Sequence, residues 1–172
     1  MAKNVLITGG AGFIGTRLSL TLIEKGYKIR VLDNLSKQIH GETPENSYLY
    51  NQIKDKVEFI KGDVLNREDW LNVLQEQNII IHLAAETGTG ESMYKIEKYT
   101  DVNIKGTSIL LDILTNAKDH SIEKIIIASS RSIYGEGKYE CNQHGIVYPT
   151  ERKEEDMLQG DFNVKCPVCN IN

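Results

Sequence analysis

Cysteine is scarce in this chain: there are three in 172 residues, and all of them lie after residue 140. An odd, clustered count argues against a disulfide framework and for a reducing, cytoplasmic setting. Long apolar runs are missing too, which excludes a membrane-spanning helix. The opening MAKNVLITGG has a strand-like run where a signal peptide would need a longer apolar one. Basic excess is absent: 20 Lys and Arg face 24 Asp and Glu, a net charge of -4. That balance gives no support for a nucleic-acid surface. The mixed ERKEED run, Glu151 to Asp156, reads as a solvated face. Internal repeats and low-complexity tracts are also lacking. What remains is ordinary for a soluble globular protein, with 40% apolar and 26% charged residues in a chain long enough for one substantial core.

Five short apolar runs are present: NVLITGG, KIRVLDN, VEFIKGD, NIIIHLAA and EKIIIASS. They are rich in Val and Ile and mostly lack polar alternation, as strands buried on both faces of a parallel sheet do. Helical patterns separate them. Ile14, Leu18 and Leu22 repeat every fourth residue, with Gly26 as a stop. Arg67 to Gln75 predicts a short helix, and Tyr94 to Ala117 a longer one with Leu110, Ile113, Leu114 and Ala117 on one face. Strand–helix alternation predicts an α/β fold, a doubly wound parallel sheet of about five strands. After Tyr134 the chain turns rich in Gly, Tyr, Cys and charge, and no periodicity is visible.

The first strand runs into TGGAGFIG, where Gly9, Gly12 and Gly15 are spaced three apart at the turn into a helix. Gly9 would permit the tight turn, Gly12 the close approach of a pyrophosphate, and Gly15 the packing of helix on strand. Free N–H groups at the helix start would face the phosphates. The second strand ends in Asp33, whose carboxylate can accept the ribose hydroxyls and would repel a 2′-phosphate. These features point to a Rossmann-type dinucleotide site that prefers NAD to NADP, with nearby Lys37 working against that preference.

TGGAGFIG, DNLS, GDV, HLAA, NIKGT and SSRSIYG, each after its strand or in the long helix, resemble the extended short-chain dehydrogenase/reductases. Together, over residues 3–137, they are similar to the NAD-dependent sugar-nucleotide epimerase/dehydratase family, which includes UDP-glucose 4-epimerase. AAETGTGESMY, SSRSIYGEG and a cysteine-bearing segment resemble its dTDP-L-rhamnose 4-epimerase subgroup. The resemblance implies NAD as cofactor, a dTDP- or UDP-sugar as substrate of the complete protein, and a possible homodimer. It implies Phe13 and Ile14 beside the pyrophosphate, Asp33 and Asn34 at the adenosine ribose, and Asp63 and Val64 at the adenine. Leu83, Ala84 and Ala85 would line the cofactor trough. Ser130 takes the catalytic Ser/Thr position that hydrogen-bonds the reacting sugar oxygen; as a bare strand-end serine it would instead cap backbone groups. His82 reads as a packed strand residue rather than a base.

The family completes its chemistry with a tyrosine and a lysine one helical turn apart, on a long helix well after the serine. Tyr-x-x-x-Lys occurs three times, at Tyr50/Lys54, Tyr94/Lys98 and Tyr134/Lys138. The first two lie upstream of Ser130, and the third spans a Gly-x-Gly turn unsuited to a helix. The chain is therefore expected to be the N-terminal portion of an epimerase, stopping before that helix and the substrate region. The other reading is a non-catalytic NAD-binding module, regulatory or completed by another chain.

Cys141 and His144 are two residues apart, and so are Cys166 and Cys169, with 21 residues between the pairs. Three thiolates and one imidazole in two knuckles suit a closed, tetrahedral structural zinc. A nucleic-acid role for that knuckle is disfavoured by the acidic balance. The subgroup's cysteine-rich insertion between the serine strand and the tyrosine helix agrees with zinc. The expected organisation is an NAD-binding Rossmann domain over 1–138 and a zinc-knuckle insertion, a small zinc-ribbon-like appendage, over 139–172. In the usual strand order the fifth strand would present an open edge, so association through it is expected.

Overall fold

The five apolar runs become five parallel strands in a computed structural model, which describes residues 3–117 and 119–171. In chain order, β1 is Asn4–Thr8, α1 Phe13–Glu24 and β2 Lys28–Asp33. Two short helices follow, α2 (Lys37–His40) and α3 (Tyr48–Ile53), before β3 (Glu58–Lys61). Then come α4 (Arg67–Val73), β4 (Ile79–His82), α5 (Thr89–Ser92) and α6 (Ile96–Thr100). A π turn, Asp101–Lys105, joins α6 to α7 (Gly106–Asn116), and β5 is Lys124–Ile127. The strand order is β3-β2-β1-β4-β5, every pair parallel, as the alternation of strands and helices requires.

The three central strands, β2, β1 and β4, bury both faces of the sheet. Val5, Ile7, Ile29, Val31 and Ile81 pack on one side with Ile53 of α3, while Leu18 and Leu22 of α1 close over them. Leu6, Leu32 and Ile80 point to the other side, against Trp70 and Val73 of α4 and Leu110 and Ile113 of α7. This period-two division explains why the strands read as unbroken apolar runs.

Helix ends follow local chemistry. Beyond α1 the chain turns at Gly26, φ +84°, where Gly26 N–H donates to Ile23 O and Tyr27 N–H to Leu22 O. Asn66 caps α4 by accepting the Glu68 N–H at 2.9 Å, and Glu68 and Asp69 stand in its first turn.

Two expectations need correction. Ile14 leaves the apolar stripe and is exposed; the buried residues of α1 are Gly15, Thr16 and Ser19, because the helix is drawn onto the glycine loop. The helix expected from Tyr94 starts at Ile96 and is broken in register by the π turn. There Asn103 Oδ1 accepts the Glu86 N–H at 2.8 Å and its Nδ2 donates to Glu86 O at 3.1 Å, a side-chain demand no repeat in the sequence reveals.

The chain divides into two compact units, Met1–Ala128 and Ser129–Asn172. The second holds a 3₁₀ turn at Arg131–Tyr134, an antiparallel hairpin of β6 (Tyr139–Cys141) and β7 (Gly145–Val147), and α8 (Glu154–Leu158). No helix among the described residues is long and apolar enough to cross a membrane.

Candidate functional site

The glycine loop joins β1 to α1 at the carboxyl end of the sheet, and its glycines do different jobs. Gly9 sits at φ +65°, and a Cβ there would meet Ala84 N at 2.8 Å and Ala84 Cα at 2.9 Å. The expected trough residues Leu83 and Ala84 thus press directly on the turn. At Gly15 a Cβ would meet Gly10 Cα and Gly9 O, each at 2.5 Å, so the helix rides on the loop. At Gly12 a Cβ would meet only Gly9 O, at 3.3 Å. That one close carbonyl contact is milder than those at Gly9 and Gly15, and the extended backbone, φ -72° and ψ 175°, is one any residue adopts. Gly10, to which sequence reasoning gave no role, is needed for packing: its Cβ would fall 2.6 Å from Val31 Cγ1.

Gly12 is the N-cap of α1, with no side-chain cap and no acidic residue in the first turn. The helix start therefore offers unpaired N–H groups and a positive dipole end to an anion. Phe13 and Ile14, 74% and 65% exposed, stand in its first turn.

Asp33 is nearly buried, and its carboxylate is a fastener. Oδ2 accepts the Ala11 N–H at 2.9 Å, tying the glycine loop to the end of β2. Oδ1 accepts the Leu35 N–H at 2.8 Å and holds that residue at φ +54°, a strained value for leucine. A carboxylate has about four acceptor positions, and these two backbone N–H groups use two of them. His40, missed by sequence reasoning, lies buried with Nε2 3.9 Å from Asp33 Oδ1 and Nδ1 2.8 Å from Ser47 Oγ. Lys37 is paired with Glu42 at 2.7 Å.

Asn34 Nδ2 donates to Asp63 Oδ2 at 3.1 Å, bringing the ribose and adenine candidates together. Asp63 is held in turn, its N–H donating to Asp69 Oδ2 at 2.7 Å while its Oδ1 accepts the Leu65 N–H at 2.9 Å. The Val64 side chain is buried against Gly106, whose Cβ would fall 2.9 Å from Val64 Cγ2. The Val64 carbonyl accepts the Trp70 indole N–H at 2.8 Å. Ala85 is exposed beyond β4.

His82 is buried between two threonines, with Nδ1 2.6 Å from Thr8 Oγ1 and Nε2 3.1 Å from Thr107 Oγ1. Thr8 Oγ1 also accepts the Ala84 N–H at 3.2 Å. Burial lowers the imidazole pKa below its ordinary value. The histidine is a neutral packing residue, as read from its place in the strand. Thr8 and Thr107 carried no signal in the sequence beyond a hydroxyl at a strand end and one in the long helix.

In the second unit, Ser130 begins the 3₁₀ turn, and its Oγ accepts the Ser132 N–H at 3.1 Å. Capping uses a lone pair and leaves the hydroxyl proton to donate. Ser129, Ser130, Arg131, Ile133 and Tyr134 line an open hollow. Tyr134 and Lys138 share no helical face, since the turn ends at Tyr134 and Gly135 and Gly137 both have positive φ. The Tyr50 ring packs edge-on against Phe59, with centroids 4.8 Å apart, and Lys98 is paired with Glu86 at 2.9 Å. None of the three pairs forms a tyrosine–lysine dyad.

Cys141, His144, Cys166 and Cys169 come together, their ligand atoms all within 4.8 Å of one another. Zinc–sulfur bonds of about 2.3 Å and zinc–nitrogen bonds of about 2.0–2.1 Å give tetrahedral edges of roughly 3.8 Å for S···S and 3.6 Å for N···S. Cys141 Sγ lies 3.7 Å from Cys169 Sγ and 3.6 Å from His144 Nδ1, and Cys166 Sγ 3.7 Å from His144 Nδ1. Three of the six edges thus match those of such a tetrahedron. The Cys141 thiol is pulled down to about 6, first by the Gln143 backbone N–H and then by His144.

Residues 6–151 match the family model described as GDP-mannose 4,6 dehydratase. The dTDP-L-rhamnose 4-epimerase of Burkholderia thailandensis is 39% identical over 164 residues, 93% of this chain and 44% of the relative. A crystal structure of UDP-glucose 4-epimerase from Brucella ovis in complex with NAD has a TM-score of 0.60 and 33% identity, covering 78% of this chain and 38% of that one. UDP-glucose 4-epimerase from Bifidobacterium longum, in complex with NAD+ and UDP, gives 0.62 and 31%, covering 77% and 38%. The chain thus spans less than half the length of these relatives. Motifs, sheet order and matches agree: this chain belongs to the NAD-dependent sugar-nucleotide epimerase/dehydratase family of extended short-chain dehydrogenase/reductases.

Proposed function

We propose that this chain carries the NAD-binding part of a sugar-nucleotide 4-epimerase or dehydratase that works through a 4-keto sugar. The observation that carries the reading is the loop at Gly12, where a Cβ would meet only Gly9 O, at 3.3 Å, beside a helix start with no side-chain cap. Gly9, Gly12, Gly15 and the α1 N-terminus would hold the pyrophosphate, and Asp33 and Asn34 the adenosine ribose. Asp63 and Val64 would border the adenine, and Leu83, Ala84 and Ala85 the trough. NAD bound there would supply reversible hydride acceptance. Ser130 would donate its hydroxyl proton to the reacting sugar oxygen and so orient it. The substrate of the complete protein would be a dTDP- or UDP-sugar, as the names of the relatives suggest. With Lys37 engaged by Glu42, the Asp33 carboxylate would favour NAD over NADP.

The Cys141, His144, Cys166 and Cys169 cluster would hold a structural zinc: four ligands, three thiols and an imidazole, lie within 4.8 Å of one another, and three of their edges match a zinc tetrahedron. Three free thiols this close belong in a reducing, cytoplasmic setting. The exposed β5 edge, where Ile126 and Ile127 are half exposed, is where the chain would associate as a homodimer, measurable by light scattering.

Calorimetry should detect NAD binding that Gly12→Val or Asp33→Ala weakens, and elemental analysis one zinc that Cys166→Ser removes. An epimerase assay on dTDP- and UDP-sugars should stay at background for this chain alone, because no Tyr–Lys dyad is assembled. A protein that binds no NAD would refute the reading. Turnover abolished by changing Tyr134 would make Tyr134 and Lys138 the catalytic pair. A non-catalytic NAD module shares the missing dyad; joining this chain to a segment bearing a Tyr-x-x-x-Lys helix should restore turnover only if the epimerase reading holds.

A further inference from the structure

The unit Ser129–Asn172 has very little apolar interior: among its described residues only Val147 and Cys166 are buried hydrophobics. Ile133, Tyr134, Ile146, Tyr148, Leu158 and Phe162 are all exposed. A unit this small without a core needs another staple. The Cys–His cluster is placed to be one, since its ligands come from both ends of the unit. Cys141 ends β6, His144 lies in the hairpin turn, and Cys166 and Cys169 sit in a tight loop where Asn170 N–H donates to Cys166 O at 2.8 Å.

Between those ends one side chain bridges the segments. Arg152 Nε donates to Glu136 Oε1 at 2.9 Å, and its Nη1 to Phe162 O at 3.2 Å. Glu136 follows the 3₁₀ turn of Ser130 to Tyr134 and lies between Gly135 and Gly137, both at positive φ. Phe162 stands a few residues before Cys166, on the stretch that Lys165 pins to Asp156 at 2.9 Å and to Asp161 at 2.8 Å. An exposed ion pair alone holds little. Here a single planar guanidinium, paired with a half-buried Glu136, grips two separate segments.

We infer that Arg152 is a positioning residue that ties the Ser130-bearing turn to the metal-binding knuckle, so that filling the Cys3His cluster orders the turn. The inference rests on the zinc reading above and goes beyond it, giving the metal a role in presenting Ser130 rather than only in stabilising the knuckle. Without metal, the hairpin and the 166–169 loop lose their common anchor. Arg152 then has no fixed carbonyl at Phe162 against which to hold Glu136.

The test is hydrogen exchange by mass spectrometry on the whole chain, with zinc content measured in each sample. In zinc-loaded wild type the amides of 131–136 should be protected. Chelation should strip protection from 131–136 and 139–147 together and leave β1, β2 and β4 unchanged. Arg152→Ala should keep one zinc yet exchange about two- to fivefold faster over 131–136 alone, as expected for losing a partly exposed pair. Arg152→Lys, which keeps the charge facing Glu136, should recover part of that protection. Equal exchange over 131–136 in zinc-loaded Arg152→Ala and wild type, or no protection there in wild type, would overturn this inference while the zinc reading stands. A chain that binds no zinc would remove both.

Discussion

Gly12 and Gly15 lie three residues apart in one loop, yet replacing each with alanine should have opposite consequences. At Gly15 the new Cβ would stand 2.5 Å from Gly10 Cα, 2.5 Å from Gly9 O and 2.8 Å from Gly10 C. These are backbone atoms of a turn already held by Asp33, so none can swing aside. Overpacking of this kind costs about 1–3 kcal/mol, and three rigid contacts place Gly15→Ala at the upper end. For a unit of this size that corresponds to a fall in Tm of roughly 6–12 °C. At Gly12 the backbone is extended, φ -72° and ψ 175°, which any residue adopts. Its Cβ would meet one carbonyl at 3.3 Å. Alanine is a poorer N-cap than glycine by about half a kcal/mol, but it also restricts the unfolded chain by about 0.4–1 kcal/mol. The two offset, so Gly12→Ala should melt within about 2 °C of wild type. A methyl in the path of the pyrophosphate should still weaken NAD at least about tenfold, or 1.4 kcal/mol. Calorimetric melting and NAD titration on both variants decide it. Equal thermal losses, or full NAD affinity in Gly12→Ala, would refute the assignment of roles.

Three further outcomes follow from the first unit. Asp33→Asn puts an amide N–H₂ against one of the two backbone N–H groups the carboxylate accepts, so urea unfolding should show a loss of about 1–3 kcal/mol, with weaker NAD binding alongside. Trp70→Phe leaves the buried Val64 carbonyl without its indole donor, and the same measurement should show about 1–3 kcal/mol lost. His82 has a folded pKa below its unfolded value, so the unfolded chain binds more protons; its stabilising share is whole above about 6.5 and is lost as pH falls through the folded pKa. Stability measured between pH 5 and pH 7 should therefore fall on acidification in wild type and stay flatter in His82→Gln.

The sheet was legible because burial on both faces leaves a mark on composition. Val5, Leu6 and Ile7 point alternately to two different cores, so no polar residue interrupts the run. The glycine loop was legible because glycine spacing reports backbone demands directly, and the Cys–His cluster because its paired spacings bring few residue types together. Partnerships set by tertiary packing left no such mark. Gly10 is required by Val31 and Gly106 by Val64, each a contact between residues more than twenty positions apart. His40 reaches Asp33 only because α2 folds back over the end of β2. The π turn depends on Asn103 satisfying Glu86 from another element, and propensity alone predicts an unbroken helix there. Beyond Tyr134 the hairpin strands are three residues each, too short for any period to show.

The hydroxyl of Thr8 links the buried His82 to the chain just after β4. Its oxygen accepts the Ala84 N–H, so its proton is free to go to His82 Nδ1. Thr107 spends its hydroxyl proton on Asn103 O at 3.3 Å, so it accepts the Nε2 proton, which leaves Nδ1 of the neutral ring to accept from Thr8. The donors run one way from Thr8 through His82 to the Asn103 carbonyl in the π turn, while the Asn103 side chain separately pairs with Glu86, its Nδ2 donating to Glu86 O and its Oδ1 accepting the Glu86 N–H. Protonating His82 would set a donor at Nδ1 against the donor of Thr8. The Thr8 hydroxyl hydrogen would have to turn away from Nδ1 and find another acceptor. Burial that keeps the imidazole neutral thus preserves the Thr8–His82–Thr107 hydrogen bonds, a structural part for a strand histidine.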